Sequence, residues 1–272
     1  MTVKENSKNK IKAVIFDLDD TLVSEYAFIV SGYRYMSKIF SERLSLTPDE
    51  VEEKLWLLSK ESYSNIFNRL FDSCNAVYTD GDIKKWIQEY RNHDAALQFY
   101  TDVYPVLCAL KEKGILTGII SDGDPDRQRN KINTAIDGLP EGEKRRSASD
   151  WFDEIILNDE FGGASYRKPN PHGFRVMAER LGIDPSEMVY IGDNPAKDFH
   201  IAAELPVRTC RIIRENGIYI DKPYLDGIEE TYRLDRLDDL LEVVGIRCSE
   251  GDNTMQAGIS GAVENGNAGR SL

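Results

Sequence analysis

Four consecutive apolar residues, Ala13 to Phe16, run directly into Asp17, Asp19, Asp20 and Thr21. A short apolar run without alternation predicts a strand buried on both faces, the pattern of a parallel sheet. Residues 11–16 are therefore expected as the first strand, behind a polar, frayed leader at 1–10. Over 25–95 the rhythm changes and no strand is expected. Apolar positions recur at helical spacing, in Phe28, Ile29, Tyr33, Met36 and Phe40, then Val51, Leu55 and Leu58, then Ile66, Leu70 and Phe71, then Ile83, Trp86, Ile87 and Tyr90. That spacing predicts about four amphipathic helices, a small bundle of its own. Thr47-Pro48-Asp49-Glu50 opens one of them, with Thr47 as the cap and Pro48 at the first helical position.

The strand–helix alternation resumes near Tyr104. Helices are expected at 105–113, closed by Gly114, and at 126–136, 171–181 and 198–205. Strands are expected at 115–120, 154–157, 188–191 and 207–212. This order predicts an α/β fold, a Rossmann-like parallel sheet of about five strands with right-handed crossovers. The sheet core would comprise 11–24 and 96–248, with the helical bundle inserted at 25–95. Residues 137–150, DGLPEGEKRRSASD, read as an exposed loop. The Gly/Asn/Ser-rich stretch 249–272 reads as disordered.

Composition narrows the function. With 272 residues, 41% hydrophobic and 30% charged, the chain is long enough for a large core of ordinary globular character. A formal charge of −13 disfavours a general nucleic-acid or anionic-membrane surface. Phosphate handling would then need a local pocket of cations and backbone N–H groups. Cys74, Cys108, Cys210 and Cys248 show no CxxC spacing and read as reduced thiols. With no signal-peptide core and no span-length apolar stretch, the expected location is the cytoplasm.

Three predicted strands end in residues that packing alone does not require: Asp17 with Asp19, then Ser121, then Asp193. Lys168 stands in RKPNP before a helix. Each has a plain reading by itself, as a helix cap, a turn or a solvated loop lysine. In an open α/β sheet, however, all of these ends converge on the edge where ligands bind. A pair of carboxylates there suggests a metal or a charged substrate, because buried charge is too costly to serve packing.

The ordered set Asp17/Asp19/Thr21, Ser121, Lys168 in KPNP and Asp193/Asp198 in GDNPAKD closely resembles the haloacid dehalogenase superfamily. The likeness covers about 11–245 and includes a helical cap after the first motif, as in one branch of the family. It implies a Mg²⁺-dependent phosphatase acting on a small phosphorylated metabolite through an aspartyl-phosphate. By the same resemblance, Asp17 is the nucleophile and Asp19 the acid and base. Asp17, Asp193 and the Asp19 carbonyl hold the metal, and Lys168 neutralises charge. Thr21, Ser121, Asp122, Gly123 and Lys168 bind phosphate, with Asn194 and Asp198 supporting them. Cations are needed beside the nucleophile for a physical reason. A carboxylate about 3.5 Å from a phosphate dianion meets roughly 9 kcal/mol of repulsion at an effective dielectric near 20.

Asp19 and Asp193 together disfavour dehalogenation, since the family's dehalogenases lack a carboxylate at the Asp19 position and dispense with metal. No membrane helices support a transport ATPase. Among Lys38, Lys54 and Lys60 none stands out as the Schiff-base lysine of a phosphonate-cleaving member. A sugar-phosphate phosphomutase and a non-catalytic binding protein of the same fold remain alternatives. Asp122, where the family commonly has asparagine, places an extra charge beside the phosphate site. Substrate choice is expected from the cap, with Tyr26, Tyr33, Arg34 and Lys38 as candidate contacts. Lys144, Arg145 and Arg146 form a basic cluster that could steer anions. The substrate itself, a sugar phosphate, a phosphoglycolate-like acid or a nucleotide, and the oligomeric state are open.

Overall fold

The computed structural model describes residues 10–140 and 147–246. The expected leader (all but Lys10), the Lys144/Arg145/Arg146 cluster and the 249–272 tail lie outside these residues. The sheet has six parallel strands: β1 (Ala13–Phe16), β2 (Leu116–Ser121), β3 (Glu154–Leu157), β4 (Met188–Gly192), β5 (Arg208–Ile212) and β6 (Tyr232–Leu234). Their order is β3-β2-β1-β4-β5-β6. The sheet class is the one expected, and β6 is an addition: three residues are too few to display a period.

β1 sits at the centre, and its alternation feeds both layers. Val14 and Phe16 pack into the larger core with Leu107, Ile132 and Leu240. Ala13 and Ile15 pack on the other face with Phe174 and Met177. The helices on those faces are α5 (Val103–Glu112), α6 (Pro125–Asp137), α7 (Ala148–Trp151), α8 (His172–Leu181), α9 (Ile201–Glu204) and α10 (Leu240–Val243). Gly114, at φ 65°, ends α5 in the left-handed region as a helix-closing glycine should. The helix expected at 198–205 shortens to the single turn of α9. The Asp198 side chain accepts from the Asn194 N–H at 2.9 Å, which holds the preceding residues in a turn.

Between β1 and α5 the chain forms α1 (Glu25–Leu44), α2 (Pro48–Ser59), α3 (Ile66–Ser73) and α4 (Asp80–Asn92). Their starts are locally encoded. Ser24 caps α1 through Ala27 N–H, and Thr47 with Glu50 and Thr79 with Asp82 form reciprocal capping boxes. The four helices bury an apolar cluster of their own around Phe40, Leu55, Leu70, Phe71 and Trp86. No described helix is long and apolar enough to cross a membrane.

Candidate active site

Sheet order changes direction at β1, because β2 and β3 lie on one side and β4 to β6 on the other. A crevice opens at the carboxyl ends of strands flanking such a switch point. Asp17 is the first residue past β1, and its N–H donates to the Ile191 carbonyl at 2.8 Å, which keeps it in register with β4. Asp193 follows the last residue of β4. Lys168 reaches the same point from the loop before α8. Its fully buried Nζ lies 2.8 Å from Asp17 Oδ1 and 2.9 Å from Asp198 Oδ1, and it donates to Tyr190 Oη at 2.6 Å. Tyr190 in turn donates to Asp198 at 3.1 Å. The approach is close enough to require glycine at 192: a Cβ there would stand 2.6 Å from Asp198 Oδ2.

Burial pushes the Asp17 carboxyl up to about 6, against the pull of Lys168 and Lys197. Burial, followed by the charges of Asp198 and Asp17, pushes Asp193 well above the usual carboxylate range. Burial disfavours charge on Lys168 as well, but Asp17 and Asp198 outweigh it and raise the ammonium's pKa. Carboxylate oxygens of Asp17, Asp193 and Asp198 lie within 4.8 Å of one another, all buried. The Asp193 carboxylate is buried yet accepts no hydrogen bond among the described residues. A buried carboxylate of this kind needs a cation. An all-oxygen donor set fits a hard divalent ion such as Mg²⁺.

Asp19 also faces the crevice, but its side chain is engaged. Lys131 Nζ, on α6, lies 2.6 Å from Asp19 Oδ1 and also pairs with Glu25. Gln128 Nε2 donates to Asp19 Oδ2 at 2.9 Å and to Ser121 Oγ at 2.7 Å. Burial would raise the Asp19 carboxyl, yet Lys131 and Arg127 prevail and hold it well below the usual range. The extra charge of Asp122 is compensated locally. It accepts from Asn158 Nδ2 at 2.8 Å, from Lys168 N–H at 3.0 Å and from Lys197 Nζ at 3.0 Å. Burial is again overcome, by Lys168 and Lys197, and the group sits at about 2.

Asp17, Asp19, Asp122, Gly123, Lys168, Asp193 and Asn194 all line one cavity of about 340 Å³. Ser121 and Thr21 lie behind that surface, Ser121 bound to Gln128 and Thr21 with a buried Oγ1 that has no hydrogen-bond partner among the described residues. Asp198 is fully buried beneath Lys168. The cap residues divide by helix phase. Tyr26, Arg34 and Lys38 follow one another at steps of eight and four residues and line a separate groove with His93 and Asp94. Tyr33 lies on another face, toward a cavity that adjoins the site.

No sequence motif marks Gln128, Lys131, Lys197, Glu25 or Arg127, which the fold brings to the crevice. For two of them a signal exists. Gln128 and Lys131 fall in phase with Ile132, Ala135 and Ile136 on the buried face of α6. Polar residues on an apolar stripe mark a buried polar site.

The chain matches the sequence profile of the haloacid dehalogenase-like hydrolase family over residues 14–212. A glyceraldehyde 3-phosphate phosphatase of Methanopyrus kandleri is 32% identical, over 86% of this chain and 97% of that protein. The pyrophosphatase PpaX of Bacillus velezensis is 25% identical, over 88% and 98%. Among solved structures, a HAD phosphatase from Thermococcus onnurineus superposes with a TM-score of 0.56. It is 25% identical and covers 86% of this chain and 98% of its own.

Proposed function

This chain belongs to the haloacid dehalogenase-like hydrolase family, as a phosphoric monoester hydrolase, and we propose that it cleaves a small phosphomonoester with Mg²⁺ through an aspartyl-phosphate on Asp17. The observation that carries this reading is Lys168 Nζ, buried 2.8 Å from Asp17 and 2.9 Å from Asp198 at one sheet edge.

Asp17 Oδ1 accepts from Lys168 and from the Leu18 N–H at 2.8 Å, which fixes the carboxylate and, among the described residues, leaves Oδ2 with only Lys197, 3.9 Å away. That freedom supports Oδ2 as the oxygen that attacks phosphorus. Lys168 and Lys197 offset the repulsion between that carboxylate and the incoming dianion. Asp17 and Asp193, with the Asp19 carbonyl, would hold Mg²⁺, and Asp198 would orient Lys168. Bound there, the ion supplies positive charge to the phosphoryl oxygens. Asp19 serves the leaving alkoxide as acid and the hydrolytic water as base. In the present arrangement it is anionic, so Lys131 and Gln128 must yield to the substrate and the carboxylate must take up a proton from solvent before it donates one to the alkoxide.

The helices at 25–95 act as the cap over the core formed by 11–24 and 96–248, and they exclude bulk water from the crevice. The test is a panel of small phosphoesters assayed for free phosphate with Mg²⁺ and with a chelator. Stoichiometric phosphate release that needs Mg²⁺ supports the reading and excludes a mutase. Absence of release across the panel overturns it in favour of a binding protein.

A further inference from the structure

We infer that the leaving group of the substrate carries a heteroaromatic ring, seated in a second cavity that opens off the catalytic one. This deepens the phosphatase reading and rests on it. The second cavity, about 290 Å³, lies among α1, α3, α4 and the segment after β5. It shares Glu25, Arg91, Arg127 and Tyr219 with the catalytic cavity, so the two adjoin along those four residues, the waist between them.

Wall chemistry bears on the occupant. A leaving group confined to the catalytic cavity would leave water against the apolar walls of the second. Those walls include Ile29, Ile83 and Ile87, and excluding water from such surfaces is favourable. Purely apolar cargo does not fit either. Tyr63, Tyr90 and Tyr219 line the same space, and their phenol groups have no hydrogen-bond partner among the described residues. At the waist the Arg127 guanidinium lies over the Phe28 ring, 5.7 Å from its centroid, and its buried Nε has no hydrogen-bond partner among the described residues.

A saturated chain would leave the phenols and Arg127 unpaired, and an open sugar would set hydroxyls against isoleucine. A flat ring with nitrogen and oxygen at its edge satisfies both, burying its faces on apolar and aromatic side chains while its edge meets phenol hydroxyls. The connector between phosphate and ring passes Arg127 and Arg91. A nucleoside 5′-monophosphate has this layout, and ribose 5-phosphate is the same ester without the ring.

The experiment measures kcat/KM of the full chain with Mg²⁺ for ribose 5-phosphate and the four common nucleoside 5′-monophosphates. At least one nucleotide is expected to exceed ribose 5-phosphate by about tenfold or more, the discrimination an apolar pocket supplies. Ile87→Trp and Ile83→Trp each fill the second cavity from a different wall, and thermal melting confirms that the variant compared is folded. In a folded variant the nucleotide-to-ribose ratio should collapse toward one. Ribose 5-phosphate matching every nucleotide in the wild type, or a ratio unmoved by a folded filling variant, overturns the inference and leaves the phosphatase reading standing. No phosphate from the five esters while the small-phosphoester panel yields it overturns the inference alone, and no phosphate from either overturns both.

Discussion

Replacing Lys131 by methionine would leave Asp19 and Glu25 as two carboxylates facing each other without the ammonium between them. Removing one partner from a buried ion cluster typically costs about 3 kcal/mol or more. Lys131→Met should therefore lower stability by about 3 kcal/mol in urea unfolding, and adding Glu25→Gln should restore part of it. Equal stability of the single variant and wild type would show that the cluster is inert. Asp122 gives a second prediction, with a pH window. Its carboxyl is held at about 2, below an unfolded value of about 3.9. A depressed carboxyl contributes stability above the unfolded value and loses it as pH falls toward the folded one. The stability gap between wild type and Asp122→Asn should thus be on the order of 2 kcal/mol at pH 6 and shrink between pH 4 and pH 2. A gap that stays constant across that window would contradict the assignment. At this scale the sequence pointed to Asp17 and Asp193 through recognisable strand ends and to Lys168 through KPNP, and the topology gathers all three. It did not disclose Lys197, which stands inside GDNPAKD but is not one of the two aspartates that stretch was read for, or where the Asp19 side chain points, which depends on α6.

Among the elements, the helices over 25–95 were the most legible, since apolar spacing marks all four and side-chain caps open α1, α2 and α4. Their packing centres on Phe40, with the rings of Phe67, Phe71 and Trp86 edge-on at 5.2, 5.2 and 4.9 Å. Phe40→Ala should cost about 4 kcal/mol, the usual penalty for deleting a buried aromatic ring. Urea unfolding checks it, and a cost below about 1 kcal/mol would mean that the cluster collapses around the gap. Elements fixed by long-range contacts were less legible. β6 exists because Cys210, Arg211 and Ile212 offer it an edge to pair with, not because Tyr232–Leu234 carries a pattern. The turn at 194–200 displaces an expected helix for a functional reason, to bring Asp198 under Lys168. Helix phase likewise explains why Tyr26, Arg34 and Lys38 share a groove away from Asp17, although all lie on the helix nearest the catalytic strand.

For the molecule as a whole, the −13 formal charge and the crowded carboxylates at the sheet edge make cation binding a stabilising event. A ligand that binds only the folded state at a hundred times its Kd adds about 2.7 kcal/mol. Saturating Mg²⁺ should then raise the melting temperature by several degrees, about 2–4 °C per kcal/mol for a domain of this size. Asp193→Asn should abolish that rise. A Mg²⁺-induced shift of wild-type size in Asp193→Asn would place the ion elsewhere.

Nucleophilic attack by Asp17 is tested most directly by the initial rate of phosphate release from Asp17→Asn, measured with Mg²⁺ on the best wild-type substrate. A folded variant with the wild-type melting temperature and a rate lower by at least about a thousandfold is predicted. A folded variant within about tenfold of wild type would contradict the account, because the phosphoryl group would then be leaving without the bond to Asp17.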